Sequence, residues 1–271
     1  MKPIKFDLPE KVLEREKGST IAPKLHFQRF EMKYVIPTEM VDAVREYIRS
    51  FMEKDPSLAP RASTYDVHSL YFDSPLFYYF SQKMDGVRKR KKIRLRVYRT
   101  GPDFSPNAFF EIKRKNDVVV LKDRFIFEPK RLPGFLETLE IESLFAGPLP
   151  DLELAEEYRE ERMLRSIQPV SLNVYTREPL LGRFNKNIRV TFDSNIRTTG
   201  SDSLFYEGQD FVSVSPGFTV MEVKFTGSLP FYIVDAIRRF SLSATSYSKY
   251  CQGMIAYGKI LPHTPLIYNH S

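Results

Sequence analysis

The chain repeats one small chemical pattern, a glutamate and a lysine two residues apart inside an apolar run. It occurs in FEMKY as Glu31 and Lys33, in FFEIKRK as Glu111 and Lys113, and in TVMEVKF as Glu222 and Lys224. Side chains two apart on a β-strand share a face, so each pair presents a carboxylate and an ammonium together. In the last of these runs Met221, Val223 and Phe225 project the other way. Further strand-like runs add cations in the same alternation: Arg94 and Arg96, Lys122 and Arg124, Arg177, and Arg189. A sheet with one wet face also alternates polar with apolar, and one cross-strand Glu–Lys pair contributes only about 0.2–1 kcal/mol. That accounts for any single strand. It does not account for the set, because a solvated face mixes in Thr, Ser and Gln, whereas nearly every strand here offers Arg or Lys at one phase. So many like charges repel one another unless an anion neutralises them.

The matching anion is a phosphate chain. Arginine forks grip phosphate oxygens bidentately and lysine acts as a point charge, so a lining of both suits several phosphates in a row. Carboxylates in such a lining are explained by a divalent ion, since Mg²⁺ or Mn²⁺ takes one or two carboxylates plus substrate phosphates. Glu222 is the leading ligand, with Glu31 and Glu111 as the other carboxylates of the motif. The alternative role for Glu222 is a structural counter-ion to Lys224. GMIAYGK (Gly253 to Lys259) matches the spacing of a phosphate-binding loop, but Ile260 stands where a hydroxyl would be needed and the run is helical. No dinucleotide fingerprint or G-x-S-x-G run is present. The basic residues are not interleaved with aromatics in an RNA-reading pattern, so no nucleic-acid partner is expected.

The elements that position these residues are strands, mostly consecutive. The first is FQRFEMKYVI (Phe27 to Ile36), followed by a helix over PTEMVDAVREYIRSFM with Thr38 as its N-cap. DVHSLYFD is the next strand, and LFYYFSQKMDG a short helix closed by Gly86. Lys91 to Thr100, AFFEIKRK and VVVLKDRFIFE continue the strands; residues 131–169 hold helices; VSLNVYTREPL, NIRVTFDSNIR, DFVSV and TVMEVKF resume them. Two helical runs, PFYIVDAIRRFSL and SYSKYCQGMIAYGKI, end the pattern. The fold class is α+β: roughly eight strands in a large antiparallel sheet or a closed barrel with attached helices. Inward-facing charges favour the barrel, with a basic lumen and the apolar faces covered by helices.

Residues 1–24 are charged and aperiodic and are expected to form an arm, 25–262 a single domain and 263–271 a tail. The formal charge of +7 agrees with an anionic partner. The single cysteine, Cys251, excludes an intrachain disulfide and is expected as a buried helical thiol, and four scattered histidines show no metal spacing. Without an apolar leader or a membrane-length run, a soluble cytoplasmic protein is expected.

Nine ordered runs, RFEMKYVI, SLYFDSPLFYYF, IRLRVYR, FFEIKRK, LKDRF, VYTRE, IRVTFD, MEVKF and SYSKY, resemble the motifs of the VTC catalytic domain, a branch of the triphosphate tunnel metalloenzymes. The resemblance spans about Phe27 to Gly258. It implies an eight-stranded antiparallel tunnel and, as in eukaryotic members, polymerisation of inorganic polyphosphate from the γ-phosphate of ATP with Mn²⁺. It implies that Lys33, Arg94, Arg96, Lys113, Lys122, Arg177 and Arg189 bind phosphates, with Tyr175 beside Arg177. It further implies Glu222 on the metal and Lys224, Ser248 and Lys249 at the far wall, Ser248 and Lys249 opening the last helix, whose amides can assist an anion. Two positions depart from the pattern. Arg29 replaces the first carboxylate of the wider superfamily's Glu-x-Glu-x-Lys, which fits polymerase-type members better than simple triphosphatases. Ser246 stands where polymerases tend to carry lysine, which weakens the expected grip on the chain. A hydrolase using water in the same tunnel, and a non-catalytic polyphosphate- or nucleotide-binding module, are the alternative functions.

Overall fold

Val, Ile, Phe and Tyr alternate with charged residues along the long strands, and that alternation decides which face each strand turns to the helices. The computed structural model describes residues 29–56, 58, 62–116 and 119–260. The strands are β1 (Arg29–Pro37), β2 (Met52–Lys54), β3 (Tyr65–Asp73), β4 (Lys89–Thr100), β5 (Asp103–Phe104), β6 (Ala108–Asn116), β7 (Val119–Phe127), β8 (Gln168–Gly182), β9 (Arg189–Thr199), β10 (Val212–Ser213) and β11 (Phe218–Thr226). The helices are α1 (Val41–Ile48), α2 (Tyr78–Met84), α3 (Leu132–Thr138), α4 (Leu152–Arg165), α5 (Phe231–Arg239) and α6 (Lys249–Ala256).

The long strands form one sheet in the order β1-β11-β9-β8-β3-β4-β6-β7, and β2, β5 and β10 attach to β8, β4 and β9. Every pairing is antiparallel. The sheet curls into a half-barrel. Among the described residues no backbone pairing joins β7 to β1. Instead Lys113 of β6 reaches Glu31 of β1 at 3.2 Å, so side chains bridge the concave face where the backbone leaves a seam.

The apolar faces lie outward under the helices, as the alternation predicts. Ile93, Leu95, Phe110, Ile112 and Phe125 pack with Phe135 of α3 and Tyr158 of α4. Met221, Val223 and Phe225 pack with Tyr34, Ile36, Val44 and Ile48 and with Ile233 of α5. The exception is α6, which lies against β8 and β9 with Cys251 buried. Its close approach needs glycine at 253, where a Cβ would stand 2.4 Å from Asn173 Nδ2. The GMIAYGK run therefore begins inside this helix and serves packing.

Some local expectations are corrected. Thr38 is not a helix cap, because β1 runs on through Pro37 and a short 3₁₀ turn precedes α1. The Thr38 hydroxyl pairs instead with that of Thr219 at 3.0 Å. DFVSV contributes only the two residues of β10, and β2 and β5 are too short for an alternation to reveal them. The expected arm at 1–24 and tail at 263–271 lie outside the described residues.

Asp73, fully buried at the end of β3, holds two helices in place. Its carboxylate accepts N–H bonds from Ser74 (2.8 Å), Tyr79 (2.9 Å) and Phe80 (2.9 Å), satisfying the start of α2. It also accepts the hydroxyl of Tyr250 from α6 at 2.6 Å. Asp73→Ala would strand these donors, at about 1–3 kcal/mol for each that stays buried and unsatisfied. Denaturant unfolding of Asp73→Ala is expected to show a loss of at least about 3 kcal/mol, with a smaller loss for Asp73→Asn; an unchanged midpoint for both would refute the role.

Candidate functional site

The concave face gathers the charged members of each alternation. Across β1 and β11 the register sets Glu31 opposite Lys224 and Lys33 opposite Glu222, two rungs of opposite charge. On β4 and β6, Arg94 faces Glu111 and Lys92 faces Lys113. β8 adds Tyr175 and Arg177, β9 adds Asp193, and the first turn of α6 brings Ser248 and Lys249 across the sheet. The segment before α6 runs along the edge of β1, where Thr245 N–H donates to Lys33 O at 2.8 Å. Apart from Glu111 and Asp193, which are fully buried behind the lining, these groups enclose a cavity of about 440 Å³.

Its charges are organised around buried carboxylates. Glu222 lies within 3.0 Å of Lys249, 3.3 Å of Lys33 and Lys224, and 3.7 Å of Arg177. Burial alone would raise its pKa, but the charges of Lys249, Lys33, Lys224 and Arg177 outweigh burial and hold it well below the usual carboxylate range. Asp193 takes the Arg177 fork in a bidentate pair (2.6 and 2.7 Å) and Lys249 at 2.5 Å. Burial would lower Lys249, yet Asp193 and Glu222 hold it far above an ordinary lysine. Glu111 accepts from Arg94 Nε at 2.7 Å, lies 3.9 Å from Arg96 and pairs with Lys122. Arg96 also donates to Ser69 Oγ (3.2 Å) and the Tyr175 hydroxyl (3.3 Å). Tyr175 carries Lys249 over its ring at 4.7 Å and Arg177 at 5.3 Å.

Most of the residues singled out by the sequence line this cavity: Glu31, Lys33, Arg94, Arg96, Lys113, Tyr175, Arg177, Glu222, Lys224, Ser248 and Lys249. Three do not. Glu111 is fully buried behind Arg94, Lys122 reaches it from the edge strand, and Arg189 pairs with Asp55 at 2.7 Å. Sequence reasoning missed Asp193 as a site residue although it shares a phase with Arg189. It also missed Lys92, which shares one with Arg94. Tyr71, Lys83, Arg90 and Lys115 line the wall as well. Lys83 had no signal in its strand pattern, because it arrives on α2. Ser246 lines the wall too, and its hydroxyl accepts from Lys83 at 2.7 Å, so a cation stands at this point although the residue is serine.

The donor set limits how a metal could be held. Among the described residues no group of three His, Cys, Asp or Glu side chains converges on one point. Glu222 and Glu31 both line the cavity and share Lys33, at 3.3 and 3.1 Å. One or two carboxylates completed by substrate phosphates is the coordination that Mg²⁺ and Mn²⁺ adopt on phosphate substrates, so these residues fit such an ion once phosphate is present. Glu111, outside the lining and engaged by Arg94 and Lys122, is placed as a counter-ion.

Solved structures of similar shape include a candidate adenylate cyclase from Bacillus halodurans (11% identity, TM-score 0.48, covering 82% of this chain and 95% of that one). Another is a candidate adenylyl cyclase from Hippeastrum described as having a dominant triphosphatase activity (15% identity, TM-score 0.44, covering 86% of this chain and 98% of that one). A search of curated proteins returned no match to the sequence. The model of the VTC domain matches residues 28–257. Since that match runs from the first strand of the sheet through the last helix, the chain belongs to the VTC domain family.

Proposed function

We propose that the chain is a metal-dependent phosphoryl transferase that uses the γ-phosphate of ATP to extend inorganic polyphosphate. The observation that carries this reading is the concave cavity in which cations crowd buried carboxylates and outnumber them. Such a surface is complementary to linked phosphates and needs no nucleophilic side chain, because phosphoryl transfer rests on positioning and charge stabilisation. The terminal oxygen of the chain attacks the γ-phosphorus, the bond to the β-phosphate oxygen breaks, and ADP leaves while the chain gains one phosphate.

Lys33, Arg94, Arg96 and Lys224 align the phosphates and neutralise charge that develops on the transferred group. Lys113, Arg177, Ser248 and Lys249 hold the neighbouring phosphates, and Tyr175 fixes the planes of Arg96 and Arg177. Lys122, bound to Glu111, and Arg189, bound to Asp55, add positive charge from outside the lining. A Mn²⁺ or Mg²⁺ held by Glu222, with Glu31 beside it, would supply further neutralisation on the phosphate oxygens.

Purified protein incubated with ATP and Mn²⁺ is expected to yield chains on a polyphosphate-stained gel that resist DNase and vanish with a polyphosphatase. Orthophosphate without chains would assign the cavity to hydrolysis, and ATP binding without turnover would make the protein a binding module. Arg96→Ala and Lys224→Ala are each expected to lower turnover by about 10²-fold or more, the scale of one lost transition-state donor, with thermal melting close to wild type. Loss of fold in both would instead assign these residues a structural role. Burial pushes Lys92 down to about 7 and Lys224 down to about 8. A bound polyanion favours their charged forms, so binding draws protons from solvent near pH 8, and affinity falls as pH rises through this window. Calorimetry of tripolyphosphate binding in buffers of different ionisation heat measures that uptake; zero uptake at pH 8 contradicts it.

A further inference from the structure

His68 shares a phase on β3 with Leu70 and Phe72, so it faces the convex side, away from the cavity, and is only 2% exposed. Residues 200–211, between β9 and β10, reach it there: the Leu204 carbonyl lies 3.2 Å from His68 Nδ1. A carbonyl can only accept, so the neutral ring carries its proton on Nδ1 and donates it to Leu204. Among the described residues Nε2 has no partner. A second proton would therefore create a buried charge and a buried N–H without an acceptor, both costly.

The anchors of the 200–211 segment gather around this ring. Leu204 is fully buried in the core with Leu70 and Leu172. Phe205 packs edge-on against Phe104 of β5 at 4.9 Å, and Phe104 packs edge-on against His68 at 5.1 Å. The charged groups on the surrounding elements are Asp66 on β3, Arg99 on β4, Asp103 on β5 and Arg197 on β9, with Asp202, Glu207 and Asp210 in the segment itself. β8 sets Val174 opposite His68. Asp66 accepts from the Thr176 hydroxyl at 2.7 Å, Glu207 pairs with Arg99, and Asp210 accepts from the Thr199 hydroxyl at 2.7 Å. Burial acts most strongly on the ring and holds its pKa below the ordinary histidine range; the Leu204 bond and Asp66 oppose burial, while Arg197 and Arg99 reinforce it. The segment leads through β10 to Val214, buried in one cluster with Tyr175, and to Ser215, whose hydroxyl meets that of Tyr247 in the cavity wall at 3.0 Å.

We infer that His68 is an acid-sensitive latch on the 200–211 segment: the neutral ring holds the segment down, and uptake of a proton releases it. An open segment exposes the ring to water, where it binds a proton near pH 6.5, whereas the closed segment resists that proton. The open state then holds more protons, so opening grows more favourable as pH falls below about 6.5 and is independent of His68 well above it. This window lies below the one in which Lys92 and Lys224 titrate, and the latch acts whichever anion the cavity takes.

Hydrogen exchange of the full chain, with opening constants corrected for the intrinsic pH dependence of exchange, tests the latch. Residues 200–211 are expected to open more readily than β4 at every pH. Their opening constant is expected to rise about three- to fivefold between pH 6.5 and 5.5, fivefold being roughly the limit for one proton bound by the open state alone. His68→Gln keeps a donor for the Leu204 carbonyl but takes up no proton, and is expected to abolish that rise. A flat profile in wild type, an equal rise in His68→Gln, or opening no more frequent than that of β4 overturns the latch. An NMR titration of the wild-type imidazole, identified by its contact with Phe104, guards against a folding defect in the variant. The ring is expected to titrate below about 6.5, with the amides of the segment shifting at the same midpoint; titration at or above about 6.5 overturns the latch as well.

Discussion

Lys249 is an ammonium buried between two carboxylates, 2.5 Å from Asp193 and 3.0 Å from Glu222, and the cavity depends on that arrangement. A charge so far from water is tolerated only with partners of opposite sign, and removing one partner leaves the others uncompensated. Arg177 completes the knot by binding Asp193 with its fork and approaching Glu222. Because Lys249 opens α6, the same charges that shape the cationic surface also fix that helix on the sheet. Asn173 adds a neutral tie to the Lys249 carbonyl at 2.9 Å.

Around this knot the sheet separates two incompatible environments. Its convex face is closed by apolar packing under α1, α3, α4 and α5, and its concave face by ion pairs. A slip of one residue in any strand would exchange the two, placing charge in the core and apolar residues in the cavity, so the register is strongly specified. Asp73 extends the same logic to the helices. By binding the start of α2 and the hydroxyl of Tyr250 it sets where Lys83 and Lys249 enter the wall. The positive excess that survives this internal pairing is what makes the cavity complementary to an anion.

The long strands were legible because a period of two is a local property. Glu222 and Lys224 are held on one face by their own backbone, whatever strand lies beside them. The site was legible in part for the same reason, since Lys33, Arg94, Arg96 and Lys113 follow from phase alone. Phase does not say how far along a strand the cavity extends. Arg189 and Lys122 share the right face, yet they sit beside Asp55 and on the edge strand, outside the lining. Glu111 shares it as well and is sealed beneath Arg94. Thr38 misled for a related reason: its hydroxyl had a partner on β11 that no local cap rule contains.

The sequence by itself determined which residues share a face, that one face is cationic and the other apolar, and therefore that the first is complementary to anions. Tertiary structure alone decided which carboxylate neutralises which cation and where neutralisation stops. Lys249 meets Asp193 and Glu222, and Lys83 meets Ser246, across long stretches of chain. Such encounters are set by strand order and helix docking, which arise from the packing of the whole sheet and are encoded in no single run of residues.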